Sequence, residues 1–382
     1  MATGTVSSNK YIVGPVERFD QKNDMFKRTR WAPNLREMAQ QLWGEAMPSE
    51  KEGFTRTDIA LLNAGYFVER NFAHGNYIHD TLLYSWYTEP TARFRRIAEE
   101  APPVVDEPGE MSRKVKKAAR FLGADLVNIG LLDSRWIYSH SFHFVTREHE
   151  KLEIPEECRY AVVIAIEMDY ATIKVSPTCI SRAVAGLAYS QMAFVAASLA
   201  QFIRDLGYTA IPSGNDTGLN IPIAIDAGMG ELSRNGLLIT PEFGPRVRIA
   251  KVLTDLPLEP DPPLGFGVAQ FCERCVKCAT HCPAQCIQYG ERTDKPVNIS
   301  TSPGVLKWPI DAEKCLGFWA RNGTSCCNCI GVCPFNKPSG RLHDLARWFV
   351  RHTPWLDPWL IKGDDLLGYE KPMKPRDYWA RP

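Results

Sequence analysis

Eight cysteines between Cys272 and Cys333 fall into two phrases. The first is Cys272-x2-Cys275-x2-Cys278-x3-Cys282-Pro283. The second is Cys326-x2-Cys329-x3-Cys333-Pro334, with Cys315 upstream. A run of this spacing places three thiolates on one [4Fe–4S] cluster and sends the fourth to a second cluster. The expected ligand sets are Cys272, Cys275, Cys278 and Cys333 for one cluster, and Cys315, Cys326, Cys329 and Cys282 for the other. The prolines that close both phrases fix φ and lack an N–H, which turns the chain away from a cluster. A disulfide framework suits a short secreted scaffold and not a window inside 382 residues. Zinc would leave the paired Cys-Pro endings without a reason. Spacing to Cys329 favours Cys326 over the adjacent Cys327 as ligand. Cys158, Cys179 and Cys286 read as buried free thiols.

Clusters move single electrons, so something upstream must accept them. About 270 residues precede the cysteines, room for one or two further domains. With 45 basic and 44 acidic residues the chain carries +1. That balance gives no reason to expect a nucleic acid or an anionic membrane surface as partner. Ten tryptophans, 17 phenylalanines and 13 tyrosines suit a large core or a pocket for an apolar ligand or a flat cofactor.

The elements that must position this chemistry can be read in outline. Residues 1–120 are mixed and mostly helical in pattern, with aromatics at Tyr84, Trp86 and Tyr87, and a Pro/Glu-rich loop at 101–110. Ala124 to Asp133 and Arg159 to Met168 read as strands, the second buried on both faces. Ser176-Pro177 is expected to open a long helix, Ser as N-cap and Pro at N1, that stops at Gly207. Its stretch from Ala183 to Ile203 is uncharged and of membrane-spanning length. Its Ala and Gly content and its scattered polar residues predict instead a buried helix with a small-residue face that admits a flat partner. Tyr208 to Pro212 reads as a strand, Ser213 to Asp216 as a turn, Ile221 to Met229 as a helix and Arg246 to Leu256 as a strand. The prolines from 257 to 263 mark a boundary. The expected division is 1–120, an N-terminal unit; 121–260, the core; 261–340, the two-cluster unit; and 341–382, a tail rich in Trp and Pro. Strands alternating with helices ahead of the clusters give an α/β or α+β core.

No G-x-G-x-x-G opens a helix after a strand, so no nucleotide fingerprint is visible. No D-x-H-x-x-G phrase offers a histidine to cobalt. His140-x2-His143 reads as a strand edge.

Four stretches carry a resemblance: Tyr189 to Phe194 (YSQMAF), Ile203 to Pro212 (IRDLGYTAIP), Gly214-Asn215-Asp216, and Gly236 to Arg248 (GLLITPEFGPRVR). Together with the cysteine phrases behind them, they resemble the cobalamin-dependent reductive dehalogenases of organohalide respiration. The likeness spans roughly residues 120–340. It implies an α+β fold: a nitroreductase-like core that holds cobalamin (a corrinoid) without its lower axial ligand, then a bacterial ferredoxin-like domain with two [4Fe–4S] clusters. The reaction it implies replaces carbon–halogen by carbon–hydrogen with two electrons and one proton.

The resemblance carries roles onto three residues: Tyr189 as proton donor, Asn215 as a polar partner in the pocket and Arg248 as the cation beside the tyrosine. A guanidinium stabilises a nearby phenolate and makes a tyrosine a better acid. On residue type alone, Tyr189 could be a core tyrosine, Asn215 a turn residue and Arg248 an exposed partner of an acid. Gly214, Trp86 and Trp319 are further candidates for the cofactor pocket. The expected substrate is a small halogenated hydrocarbon, a chlorinated alkane or alkene. The expected partners are a small membrane anchor protein and a donor in the quinone pool or another redox protein. The expected place is the outer face of the cytoplasmic membrane after twin-arginine export, or the cytoplasm if the native protein lacks a leader. The alternatives are a queuosine-precursor (tRNA) reductase, which would carry a basic surface, and a non-catalytic iron–sulfur electron carrier, which would need no pocket.

Overall fold

The computed structural model describes residues 7–44, 47–73, 82–87, 104–338 and 340–380. Its centre is a four-stranded antiparallel sheet built from β1 (Leu126–Leu131), β2 (Tyr160–Glu167), β3 (Ala210–Ser213) and β4 (Val247–Thr254), in the order β1-β2-β4-β3. Leu126 pairs with Ala165, Tyr160 with Thr254, and Ala210 also with Thr254. Side chains alternate across a strand, so β4 serves two cores. Ala250 and Val252 face the first, with Val162 and Ile164. Val247 and Leu253 face the second, with Ala161 and Val163. Burial on both sides explains the unbroken apolar run of β2.

The helices among the described residues include α1 (Arg36–Trp43), α2 (Arg56–Gly65), α3 (Pro108–Phe121), α4 (Cys179–Asp205), α5 (Asn220–Asp226), α6 (Ala312–Asn322), α7 (Arg341–His352) and α8 (Asp357–Leu366), of which α3, α4 and α5 pack on the sheet. Helix α4 crosses the first face of the sheet, with Ala196, Leu199 and Ile203 fully buried. It is long and apolar enough to span a membrane, but 67% of its most apolar window is buried inside the molecule, as in the central helix of a packed core. The small-residue face of α4 has a different occupant from the flat ligand expected. A Cβ on Gly186 would sit 2.2 Å from the Tyr66 ring, and one on Gly65 would sit 2.5 Å from Ala183 O. The face is filled by α2 and the tyrosine that follows it.

Several boundaries differ from the sequence reading; the helix expected to reach Met229 ends at Asp226, and the strand expected over 208–212 spans Ala210–Ser213. Helix α4 starts at Cys179, because Thr178 is extended and its hydroxyl accepts from Ser181 N in a capping box. Ser176 is not the cap; its hydroxyl accepts from Cys327 N at 2.8 Å. The loop at 101–110 is shorter than expected. Residues 101–103 lie outside the described residues, and Pro108 already opens α3, which buries Ser112, Val115 and Ala119 on one stripe. Gly207 has φ +86° and ends α4 as a C′ glycine.

The cysteine-bearing segment packs onto this core, and the tail packs onto the cysteine segment. Val350 of α7 joins the cluster formed by Phe271, Cys272, Cys275 and Cys333. Asp364 of α8 is 5% exposed and bridges Lys277 and Lys337, each at 2.5 Å.

Candidate active site

Tyr189 sits midway along α4. Arg248 stands on the α4 side of β4, and Asn215 follows the end of the edge strand β3. The three stretches are far apart in sequence and converge on one oxygen. Arg248 Nη1 donates to the Tyr189 hydroxyl at 3.3 Å, and its guanidinium carbon lies 4.7 Å from the ring centre. Asn215 Nδ2 donates to the same hydroxyl at 3.4 Å. Arg248 has no carboxylate partner among the described residues, and its Nε is buried without a hydrogen bond there. Asn215 does not adopt the positive φ of a turn residue; among the described non-glycine residues only Arg147 and Gln285 do.

These groups open onto a cleft. Met168, Ile221, Leu237, Val247 and Ile249 give it apolar walls, and Ile330, from the second cysteine phrase, closes one side. Apolar walls with a few convergent polar groups are the form of a ligand or cofactor site. Among the described residues no histidine lines this cleft.

A second layer surrounds Tyr189. The Tyr66 ring stacks on it, with centroids 6.3 Å apart. Burial raises the Tyr66 hydroxyl's pKa, with Arg182 opposing. Ser190 Oγ accepts from Glu69 N at 3.1 Å and donates to Gly65 O at 2.7 Å, which ties α2 to α4 beside the tyrosine. Burial, and then Asp216, pushes the Glu69 carboxyl up to about 8. Burial also pushes Tyr84 well above the usual tyrosine range. Gly214 lies against Tyr84: a Cβ there would meet its hydroxyl at 2.8 Å. Behind Asn215 the network continues through Asn220, at the start of α5, to the fully buried Lys251. Burial pulls the Lys251 ammonium down to about 7, with Asp216 opposing.

Sequence reading missed Lys251, Asn220, Tyr66, Glu69 and Tyr84. Only Lys251 left a signal, as a lysine inside the apolar run of β4. Of the weaker candidates, Trp86 is 42% exposed. Trp319 of α6 packs on Phe26 with centroids 5.9 Å apart, in a satellite cluster with Met25 and Leu35. Neither lines the cleft. His140 and His143 do not act together. The His140 ring lies 4.8 Å from that of His149, tilted against it, and His149 Nε2 is 3.0 Å from Asp20 Oδ1.

None of the twelve cysteines is in a disulfide. Cys272, Cys275, Cys278 and Cys333 line one small cavity with Phe271 and Phe335. Cys282, Cys315 and Cys329 pack together at a second centre, and burial, then the nearby Cys326, raises the Cys329 thiol's pKa. Burial pushes the Cys278 thiol up to about 12 and Cys326 to about 11. Thiols held so high ionise at neutral pH when a metal centre compensates the charge, so both donor sets suit iron–sulfur clusters. The second centre has one thiol more than expected: Cys286 Sγ lies 3.4 Å from Cys282 Sγ. Cys327 faces the other way, toward Ile173 O.

No family model matches the chain. It is 36% identical over 365 residues to a tetrachloroethene reductive dehalogenase of Sulfurospirillum multivorans, covering 88% of this chain and 72% of the relative. It is 41% identical over 326 residues to one of Dehalobacter restrictus, covering 72% and 59%. A solved reductive dehalogenase, described as suggesting a mechanism for B12-dependent dehalogenation, superposes with a TM-score of 0.67 at 23% identity. That match covers 97% of this chain and 48% of that one. An epoxyqueuosine reductase of Lactococcus garvieae matches over 160 residues at 25% identity. The chain thus spans about half to three quarters of these reductive dehalogenases.

Proposed function

The chain belongs to the reductive dehalogenases, and from that premise we propose that it removes halide from a small organohalide, R–X + 2e⁻ + H⁺ → R–H + X⁻. The observation that carries this reading is the convergence of Tyr189, Asn215 and Arg248 on a cleft whose far side is the second cysteine phrase. Such a cleft places a proton donor and an electron source at one substrate, which a simple electron carrier does not need.

The donor groups present fit the two kinds of cofactor the family implies. Residues 261–340 would hold two [4Fe–4S] clusters in a ferredoxin-like arrangement, on the ligand sets read from the spacing. The Cys315/Cys326/Cys329 centre borders the cleft through Ile330, and none of Cys272, Cys275, Cys278 and Cys333 lines it. The core from 121 to 260 would hold a cobalamin in nitroreductase-like fashion, in the apolar cleft with Gly214 and Asn215 at its edge. Bound cobalamin would supply low-valent cobalt as the immediate electron source.

The protein's own part is protonation and exclusion of water. Arg248 and Asn215 both donate to the Tyr189 oxygen, which stabilises the phenolate left after proton transfer. Arg248 has no acceptor and Asn215 faces the hydroxyl with its amide nitrogen, so the tyrosine proton is directed toward the cleft. The apolar walls suit a chlorinated alkene or alkane, and the matched relatives are named for tetrachloroethene. In the cell we read it as the terminal reductase of organohalide respiration in an anaerobe. It would sit at the outer face of the cytoplasmic membrane, on a small anchor protein, and draw on the quinone pool or a redox partner. The tRNA-directed alternative has less support: its relative matches a shorter stretch at lower identity.

The test is anaerobic reconstitution with cobalamin, then halide release from chloroethenes, chloroalkanes and chlorophenols. Expected are a corrinoid absorbance band, about eight irons per chain and turnover of a chloroethene or chloroalkane. A protein that takes up iron but no corrinoid, and releases no halide, would be an electron carrier.

A further inference from the structure

Behind Tyr189 a chain of polar groups runs from the exposed Asn215 through the half-buried Asn220 to the buried Lys251, and the structure determines its polarity although amide nitrogen and oxygen look alike. Asn220 Nδ2 is 3.0 Å from Gly214 O and 3.1 Å from Ile249 O. Backbone carbonyls only accept, so the nitrogen must face them. The same nitrogen lies 2.8 Å from the Asn215 side chain, which must therefore present its oxygen. That leaves the Asn215 nitrogen facing the Tyr189 hydroxyl, as a donor. At the other end, Asn220 Oδ1 accepts from Lys251 Nζ at 2.8 Å. Lys251 also donates to Ser213 Oγ at 3.1 Å and Gly214 O at 3.0 Å, so its three donors meet three acceptors. Lys251 is 0% exposed and lies on the sheet face opposite Arg248. Asn220 and Asn215 carry its influence around the end of β3 to the α4 side.

We propose that Lys251 and Asn220 are positioning residues that fix Asn215 as a donor to Tyr189, so that the tyrosine proton is committed to the cleft. This rests on the reading of Tyr189 as proton donor. If the Asn215 amide turned over, its oxygen would accept from the tyrosine. The proton would then be held away from substrate and the phenolate would lose one of its two donors. The other charged or titratable groups around Tyr189 are Arg248 from β4, and Tyr66 and Tyr84, with Arg182, Glu69 and Asp216 behind them. None of these changes in the test that follows.

Asn220→Leu keeps the volume, adds no charge and removes the donor that holds the Asn215 oxygen; Lys251 keeps two acceptors. In the cobalamin- and iron-loaded enzyme, kcat should fall about 3- to 10-fold with KM little changed. The alkaline limb of the pH–rate profile should rise by about half to one pH unit, the effect of one lost hydrogen bond to the phenolate. A purely structural role would lower the fraction of loaded enzyme and leave that limb in place, which would overturn the inference. Tyr189→Phe separates the two readings. If it is fully active, the proton-donor reading falls. If it is inactive while Asn220→Leu keeps the wild-type limb, only the positioning inference falls. Neutron diffraction from deuterium-exchanged wild-type holoenzyme reads the polarity with no substitution, should Asn220→Leu fail to fold. Two deuterons on the Asn215 atom facing Tyr189 are expected, and a bare oxygen there would refute the proposal.

Discussion

Gly186 on α4 faces the Tyr66 ring, and that ring stacks on Tyr189. Gly186→Ala therefore tests whether the α2–α4 contact positions the site. On helix propensity alone the change stabilises α4 by about 0.8–1.0 kcal/mol. The new methyl carbon would lie 2.2 Å from Tyr66 Cδ2, 2.6 Å from Cε2 and 2.7 Å from Cγ, well inside contact distance. Gly65 abuts the α4 backbone at Ala183, so α2 cannot move closer to make room and Tyr66 must be pushed outward. Overpacking of this kind costs about 1–3 kcal/mol. Opening of α2 relieves it, so exchange of the Arg56–Gly65 amides should speed up roughly 5- to 100-fold, read by hydrogen-exchange mass spectrometry. In a Tyr66→Ala background the methyl meets no ring, and the same substitution should leave α2 exchange unchanged while slowing exchange within α4. Equal acceleration in both backgrounds, or none in the wild type, would refute the packing argument.

Three further outcomes follow from other parts of the molecule. Cys326→Ser should lose or alter one cluster and Cys327→Ser should keep both, measured by iron content and electron paramagnetic resonance; the reverse result would move the ligand by one position. Asp364→Asn should strip Lys337 and Lys277 of a shared, buried partner and destabilise the docking of α8 by about 3–5 kcal/mol. Lys277 keeps Asp365 and Glu370, which places the loss toward the lower end; proteolysis of the tail reports it. The Glu69 carboxyl is raised by burial to about 8 from an ordinary 4.5. Its contribution to stability is therefore fully present below about pH 4.5 and is lost as pH rises through about 8. Glu69→Gln should then gain in melting temperature relative to wild type between pH 5 and pH 9, and a constant difference across that range would contradict the assignment.

The parts of the site that sequence revealed were those encoded by local spacing. The cysteine phrases are legible because cluster ligation fixes their intervals. The strand at Tyr160–Glu167 is legible because burial on both faces leaves an unbroken apolar run. The start of α4 was misplaced by two residues, since Ser-Pro reads locally as a cap while the cap in the fold is Thr178, whose backbone is extended. The small-residue face of that helix was visible, but what fills it was not, because Tyr66 arrives from a separate helix. Lys251 and Asn220 belong to one network yet lie on different elements, and each has an ordinary local explanation, a strand lysine and a residue at a helix start. Cys286 falls outside both phrases, and only folding brings it against Cys282. Tertiary contacts of this kind have no sequence period to betray them.

The central claim is that Tyr189 delivers the proton that replaces halide. Tyr189→Phe removes one hydroxyl from a half-buried ring and leaves the cleft walls and all cysteines in place. With corrinoid and iron contents matched to wild type, the rate of halide release from the best chlorinated substrate should fall about 10²- to 10⁴-fold, the usual contribution of a positioned general acid. Full activity in the loaded Tyr189→Phe enzyme would mean that the proton comes from elsewhere and that the hydrogen bonds from Arg248 and Asn215 serve only packing.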